Sequence, residues 1–150
     1  MGAWDAWIGR SETREDILTP GLLARFNATL DRTGDGNRAP QGGHWCLCLP
    51  DAPTTMLGQD GHPLRDQSPA SFLPPIPLPR RMWAGGRLQW HAPLCVGDTV
   101  RRVSTIASVT HKSGRTGDLL FVLVNHEVHN AHGLCLTESH DIVYRPAAKS

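Results

Sequence analysis

The run Arg80-Arg81-Met82-Trp83-Ala84-Gly85-Gly86-Arg87 concentrates three arginines, an indole and two glycines. Guanidinium forks grip phosphates, and glycines let a ligand approach the backbone closely. Arg80, Arg81, Trp83, Gly85 and Gly86 could therefore hold a nucleotide-like phosphate tail. As bare chemistry the same run equally suits a solvated turn before a strand. A second candidate is Thr33-Gly34-Asp35-Gly36-Asn37. Asp35 offers a carboxylate general base, although Gly, Asp and Asn are also ordinary turn residues. Among eight histidines, His126, His129 and His132 recur at every third position. On a helix they would suggest a metal. On a strand His126 and His129 point to opposite faces, and no metal is expected. Glu138 and His140 share a strand face with Ile142, the spacing of a structural hydrogen bond. Cys46, Cys48, Cys95 and Cys135 contain a C-x-C but no C-x-x-C. Free thiols are expected, which implies a reducing compartment, the cytoplasm. No G-x-G-x-x-G, P-loop or G-x-S-x-G string is present.

These residues must be positioned by a chain of 150 residues, 39% hydrophobic and 19% charged, enough to bury a core. The net charge of +1 argues against a dedicated nucleic-acid binder. The N-terminus lacks the basic and apolar regions of a secretory signal. The longest aliphatic run, Leu119 to Val124, falls far short of the roughly 18 residues a membrane helix needs.

Residues 1–31 read as helical in two parts. Trp4, Trp7 and Ile8 have helical spacing and lead into the charged run Arg10 to Leu18. Thr19-Pro20 then caps a helix over 20–30, with Leu22, Leu23, Phe26 and Leu30 on one stripe. Residues 31–43 are turn-rich, and a short apolar piece, His44 to Leu49, stops at Pro50. Residues 50–81 form a long proline-rich loop, of a length that is usually functional or packed against something. Its Phe72–Arg81 end reads as a rigid connector in preference to a polyproline ligand. Arg87–His91, Thr99–His111, Leu119–Asn130 and Leu134–Arg145 read as strands, the last three as an antiparallel meander. Leu119 to Val124 does not alternate, so both faces of that strand should be covered. The helix at 20–30 would cover one face, and a partner subunit or the long loop the other. The reading is one domain over 1–150, and a dimer.

Three stretches together carry a family resemblance. Leu73-Pro74-Pro75-Ile76-Pro77-Leu78-Pro79-Arg80-Arg81-Met82-Trp83-Ala84-Gly85-Gly86 is the first. Pro93-Leu94 with Val96-Gly97-Asp98-Thr99-Val100 is the second, and His140-Asp141-Ile142-Val143-Tyr144-Arg145 the third. With His44-Trp45, Leu49-Pro50 and Gly58 to Pro63, they resemble the N-terminal hotdog of MaoC-like dehydratases. The group concerned includes mesaconyl-CoA (3-methylfumaryl-CoA) and itaconyl-CoA hydratases. The resemblance covers nearly all of this chain and about half of a typical member. It implies an α+β hotdog fold, an antiparallel sheet wrapped around a central helix. It also implies addition of water to an acyl thioester, with coenzyme A as part of the substrate and no separate cofactor or metal. A carboxylate and a histidine would handle the proton and the water, and backbone N–H groups would stabilise the thioester oxygen.

The catalytic signature of the family is Gly-Asp-x-Asn-Pro-x-His. Gly34-Asp35-Gly36-Asn37 matches its first part, but Arg38 replaces the proline and Pro40 stands where the histidine should be. The nearest histidine is His44. In double-hotdog members the working dyad lies in the C-terminal hotdog. The first expectation is therefore a non-catalytic half that contacts the acyl-CoA thioester through Arg80, Arg81, Trp83, Gly85 and Gly86. A second hotdog domain or subunit would complete it. The alternatives are a self-sufficient homodimeric hydratase using Asp35 and His44, and a scaffold hotdog without acyl-CoA chemistry. No nucleic-acid or membrane partner is expected.

Overall fold

The computed structural model describes residues 2–115 and 117–148. A 3-10 turn (Asp5–Trp7) precedes β1 (Ser11–Ile17) and α1 (Pro20–Thr29). Two further 3-10 turns, Gly43–Cys46 and Thr54–Met56, lie before β2 (Arg80–Trp90), β3 (Thr99–Gly114), β4 (Gly117–Asn130) and β5 (Gly133–Arg145). The strands form one antiparallel sheet in the order β1-β3-β4-β5-β2. The meander expected from the sequence is its centre.

α1 starts as its sequence demands. The Thr19 hydroxyl accepts from the Leu22 amide at 3.2 Å, and Pro20 occupies the first turn, where its missing N–H costs nothing. Leu23 is buried and Leu22 packs beside it. Leu30 departs from the expected stripe: it is the C-cap and is 55% exposed.

Two segments differ from the sequence reading. Arg10 to Leu18 does not continue a helix; Ser11–Ile17 is an edge strand paired with β3. Glu12, Arg14 and Asp16 are half-buried while Ser11, Thr13, Glu15 and Ile17 are exposed. Polar side chains occupy both faces, so no apolar period marks the strand. The second difference is β2, which begins at Arg80 and not at Arg87. The Arg80–Gly86 run is thus neither a turn nor a loop but half of a strand paired with β5. A register shift between Trp83 and Gly85 bends it. A Cβ on Gly86 would lie 3.0 Å from the Ser139 carbonyl oxygen and 3.4 Å from the Trp83 indole, so glycine is required for that approach.

Burial on the inner face divides into two clusters. Leu23 of α1 packs with Leu47, Leu94, Val100, Val128 and Leu136 at one end. At the other, Ile106, Val122, Val124 and Tyr144 pack with Ile76, Phe72, Leu73 and Leu78 of the proline-rich loop and with Trp4 and Trp7. The helix therefore does not lie over Leu119 to Val124. The loop covers the inner face there, and Leu119, Phe121 and Leu123 are only half-buried on the outer face. The loop is tied down by Arg10, whose guanidinium donates to Pro69 O at 2.6 Å and Ser71 O at 2.9 Å. Arg65 donates to Leu78 O and Pro79 O.

Ile106→Ala, which empties a site 1% exposed, is expected to lower the unfolding free energy by about 2–5 kcal/mol in urea titration. Ile17→Ser, at a site 53% exposed, is expected to change it by less than about 0.5 kcal/mol. An equal loss at both would mean that the outer face is not open in solution.

Candidate functional site

Between the two apolar clusters the inner face turns polar. The register aligns Ser104 of β3, His126 of β4 and Glu138 of β5 in one row, with His140 in the next. These are inward positions on strands whose other inward residues include Val100, Ile106, Val124 and Val128, so each polar side chain must find a partner there. Glu138 finds three. Its carboxylate accepts from Trp45 Nε1 at 2.9 Å and lies 2.8 Å from His44 Nε2 and 2.8 Å from His140 Nε2. The hydrogen bond expected from the spacing of Glu138 and His140 is present. The link to His44 joins residues 94 apart in the chain. Burial by itself would push the Glu138 carboxyl up, but the hydrogen bonds from His140, His44 and Trp45 outweigh it and hold the group well below the usual carboxylate range.

His126 lies beside this group. Its Nδ1 is 2.7 Å from the Ser104 hydroxyl, and its ring meets that of His140 edge-on with centroids 4.7 Å apart. Burial, and then the charges of His140 and Arg102, push its pKa down to about 4. The imidazole is neutral at pH 7 and carries one N–H.

The polar row floors a cleft of about 660 Å³. His44, Trp45, Arg102, His126, Glu138 and His140 face it from the sheet side, and Leu49, Pro50, Pro63, Leu64, Phe72 and Leu73 roof it. The cleft shares Arg65, Arg81 and His140 with an outer basin of about 1190 Å³, which Arg80, Arg81, Met82 and Trp83 border. Arg80 is held by its Nε, which donates to Pro146 O at 2.8 Å. Trp83 is 67% exposed on the outermost strand. Gly85 and Gly86 follow it beside the bulge.

The sequence-predicted pair Asp35 and His44 is not joined by a hydrogen bond. The Asp35 carboxylate accepts from the amides of Arg38 at 2.8 Å and Asn37 at 2.9 Å, which hold its pKa down. It closes its own turn in full solvent exposure. His44 sits in the Gly43–Cys46 turn, 8% exposed, against Glu138. Sequence reading did not single out Ser104 and Arg102, and it weighed His126 only as a metal ligand. The available signal was polar residues at inward positions of otherwise apolar strands.

Both perturbed groups refuse protons that the unfolded chain accepts. For His126 the associated stability is fully present above pH 6.5 and is lost as the pH falls toward 4. Glu138 adds a loss below pH 4.5. The melting temperature is therefore expected to fall between pH 6.5 and 4. His126→Gln should remove the His126 contribution, which is on the order of 3 kcal/mol. An unchanged pH slope in that variant would show that His126 titrates normally.

A family model described as hydroxyacyl-thioester dehydratase type 2 matches residues 42–150. Mesaconyl-C(4)-CoA hydratase from Chloroflexus aurantiacus is 43% identical over 146 residues, 95% of this chain and 51% of that protein. The chain thus spans about half the length of this relative. The MaoC-like dehydratase from Rhodospirillum rubrum superposes over 95% of this chain and 94% of its own, with a TM-score of 0.56 at 13% identity. The ChsH1–ChsH2 complex from Mycobacterium tuberculosis matches over 94% of this chain and 85% of its own, with a TM-score of 0.57 at 12% identity. At such identities the likeness concerns the fold, an α+β hotdog with five antiparallel strands and one helix. Among the described residues no helix is long and apolar enough to cross a membrane. Matched over more than two-thirds of its length, the chain belongs to the hydroxyacyl-thioester dehydratase type 2 family.

Proposed function

We propose that this chain is the substrate-holding hotdog of an acyl-CoA hydro-lyase. The substrate is a short branched or dicarboxylic enoyl-CoA such as mesaconyl-CoA or itaconyl-CoA, and a second hotdog, in another subunit or a longer chain, supplies the catalytic carboxylate and histidine. The observation that carries this reading is the 43% identity to mesaconyl-C(4)-CoA hydratase, spread over 95% of this chain yet only 51% of that protein. The engagement of Asp35 by its own turn supports placing the dyad elsewhere. A cytoplasmic setting accords with four free thiols.

In this reading water adds across the double bond conjugated to the thioester. The developing enolate oxygen needs N–H donors, and the proton needs a base, both from the paired hotdog. This chain binds and orients. Arg80 and Arg81 offer guanidinium groups to the phosphates of coenzyme A in the outer basin, and Trp83 offers a stacking face. Gly85 and Gly86 leave the β2 backbone open to close approach. The acyl group passes beyond His140 into the inner cleft. β2 is an edge strand with Met82 47% and Trp83 67% exposed. An unpaired edge of this kind favours pairing with another sheet. The ChsH1–ChsH2 complex is a related fold solved with two proteins together.

The test uses the purified chain with mesaconyl-CoA, itaconyl-CoA and crotonyl-CoA, following binding by calorimetry and hydration by loss of the enoyl-thioester absorbance. Binding without turnover is expected. Replacing both Arg80 and Arg81 by Ala should weaken binding by about tenfold or more, the loss of at least one charge-assisted contact. Turnover abolished by Asp35→Asn and by His44→Ala would move catalysis into this chain. Failure of every thioester to bind would leave a scaffold.

A further inference from the structure

We propose that Arg102, with His126 beside it, is the receptor for the free carboxylate of a dicarboxylic acyl group lying in the inner cleft. This rests on the thioester reading above and adds the part of the acyl group that is recognised and the residues that recognise it. Arg102 pairs in register with Val128, and Ser104 with His126, so Arg102 and His126 are diagonal neighbours on the inner face. Both line the cleft. Arg102 Nε and His126 Nε2 are buried and have no hydrogen-bond partner among the described residues.

Glu12 and Arg81 also line the cleft, and several of its other charged groups are already engaged. Arg14 reaches Leu49 O and Asp51, and Arg65 donates to Leu78 O and Pro79 O. Glu138 is saturated by His44, Trp45 and His140. Arg102, by contrast, forms no salt bridge among the described residues. In the tautomer in which the Ser104 hydroxyl donates to Nδ1, His126 Nε2 carries the hydrogen. Guanidinium and imidazole both border the cleft, and each then holds one buried, unmet donor at its edge.

A buried donor without an acceptor is costly, and a carboxylate, which only accepts, is the group that relieves both at once. A neutral methyl in the same place would leave both unmet. Discrimination of this kind, between a site's intended polar group and its apolar isostere, is the strong form of specificity. A short acyl group fits the cleft volume of about 660 Å³ easily.

Mesaconyl-C4-CoA and 3-methylcrotonyl-CoA differ only in carboxylate against methyl at one carbon. Calorimetric titration of the full chain should favour the former by about tenfold or more, the worth of charged hydrogen bonds. Arg102→Met should bring the two affinities to within about twofold, with 3-methylcrotonyl-CoA bound as before. Circular dichroism melting checks that the variant folds, and Arg102→Gln replaces it should it not. Equal affinities in the unmodified chain, or a preference that survives loss of Arg102, would overturn the proposal. If neither thioester binds, the coenzyme A reading fails and free mesaconate becomes the probe, read on the His126 ring nitrogens by NMR. A shift of Nε2 that Arg102→Met removes would sustain the carboxylate site without coenzyme A. No shift would end it.

Discussion

The Glu138 carboxylate is 6% exposed in the middle of a sheet face. Left without partners, a charge in that position costs several kcal/mol. Its placement is possible because His44, Trp45 and His140 surround it within 2.9 Å. Two of those partners come from a 3-10 turn far away in sequence, so satisfying the carboxylate also fixes that turn against β5. The following segment is then pinned to β1, where the Cys48 amide donates to the Asp16 carboxylate at 2.8 Å. From Pro50 onward the chain is free to run across the sheet as a roof. The cleft exists because the polar row prevents the two apolar clusters from merging into one continuous core.

The division of labour over the inner face follows from element length. α1 has only ten residues, about 15 Å of helix, and reaches only the end of the sheet near Val100, Val128 and Leu136. The remaining apolar surface is closed by Ile76, Phe72, Leu73 and Leu78. Prolines suit this task. They hold an extended backbone at little entropic cost and need no acceptor for a missing N–H. A roof of loop differs from a roof of helix in that its backbone groups must be satisfied from outside, which Arg10 and Arg65 do by donating to four of its carbonyls.

Recognition of a thioester by one hotdog and chemistry by another would explain the distribution of charged groups. In that proposal the arginines at the mouth and the orphaned donors on the floor serve binding, whereas the carboxylate that the family motif would lead one to examine, Asp35, accepts two amides of its own turn on Oδ1. Asp35 retains the motif's sequence and serves local geometry.

Much of the architecture was legible from residues alone. Thr19-Pro20 specified the start of α1, and the β-branched runs specified β3, β4 and β5, because capping and strand propensity are short-range effects. The Glu138–His140 bond was legible because alternate residues of a strand share a face. β1 was not, since an edge strand with polar side chains on both faces has no apolar period. The true start of β2 was hidden for a related reason: arginines and glycines signal turns until a neighbouring strand, here β5, captures their backbone. Tertiary structure alone decided that His44 meets Glu138, that Ser104 meets His126, and that Arg102 lines the cleft without a salt bridge among the described residues. Each of these is a long-range pairing set by sheet register and chain crossing, and local spacing carries no information about which distant residue will stand opposite.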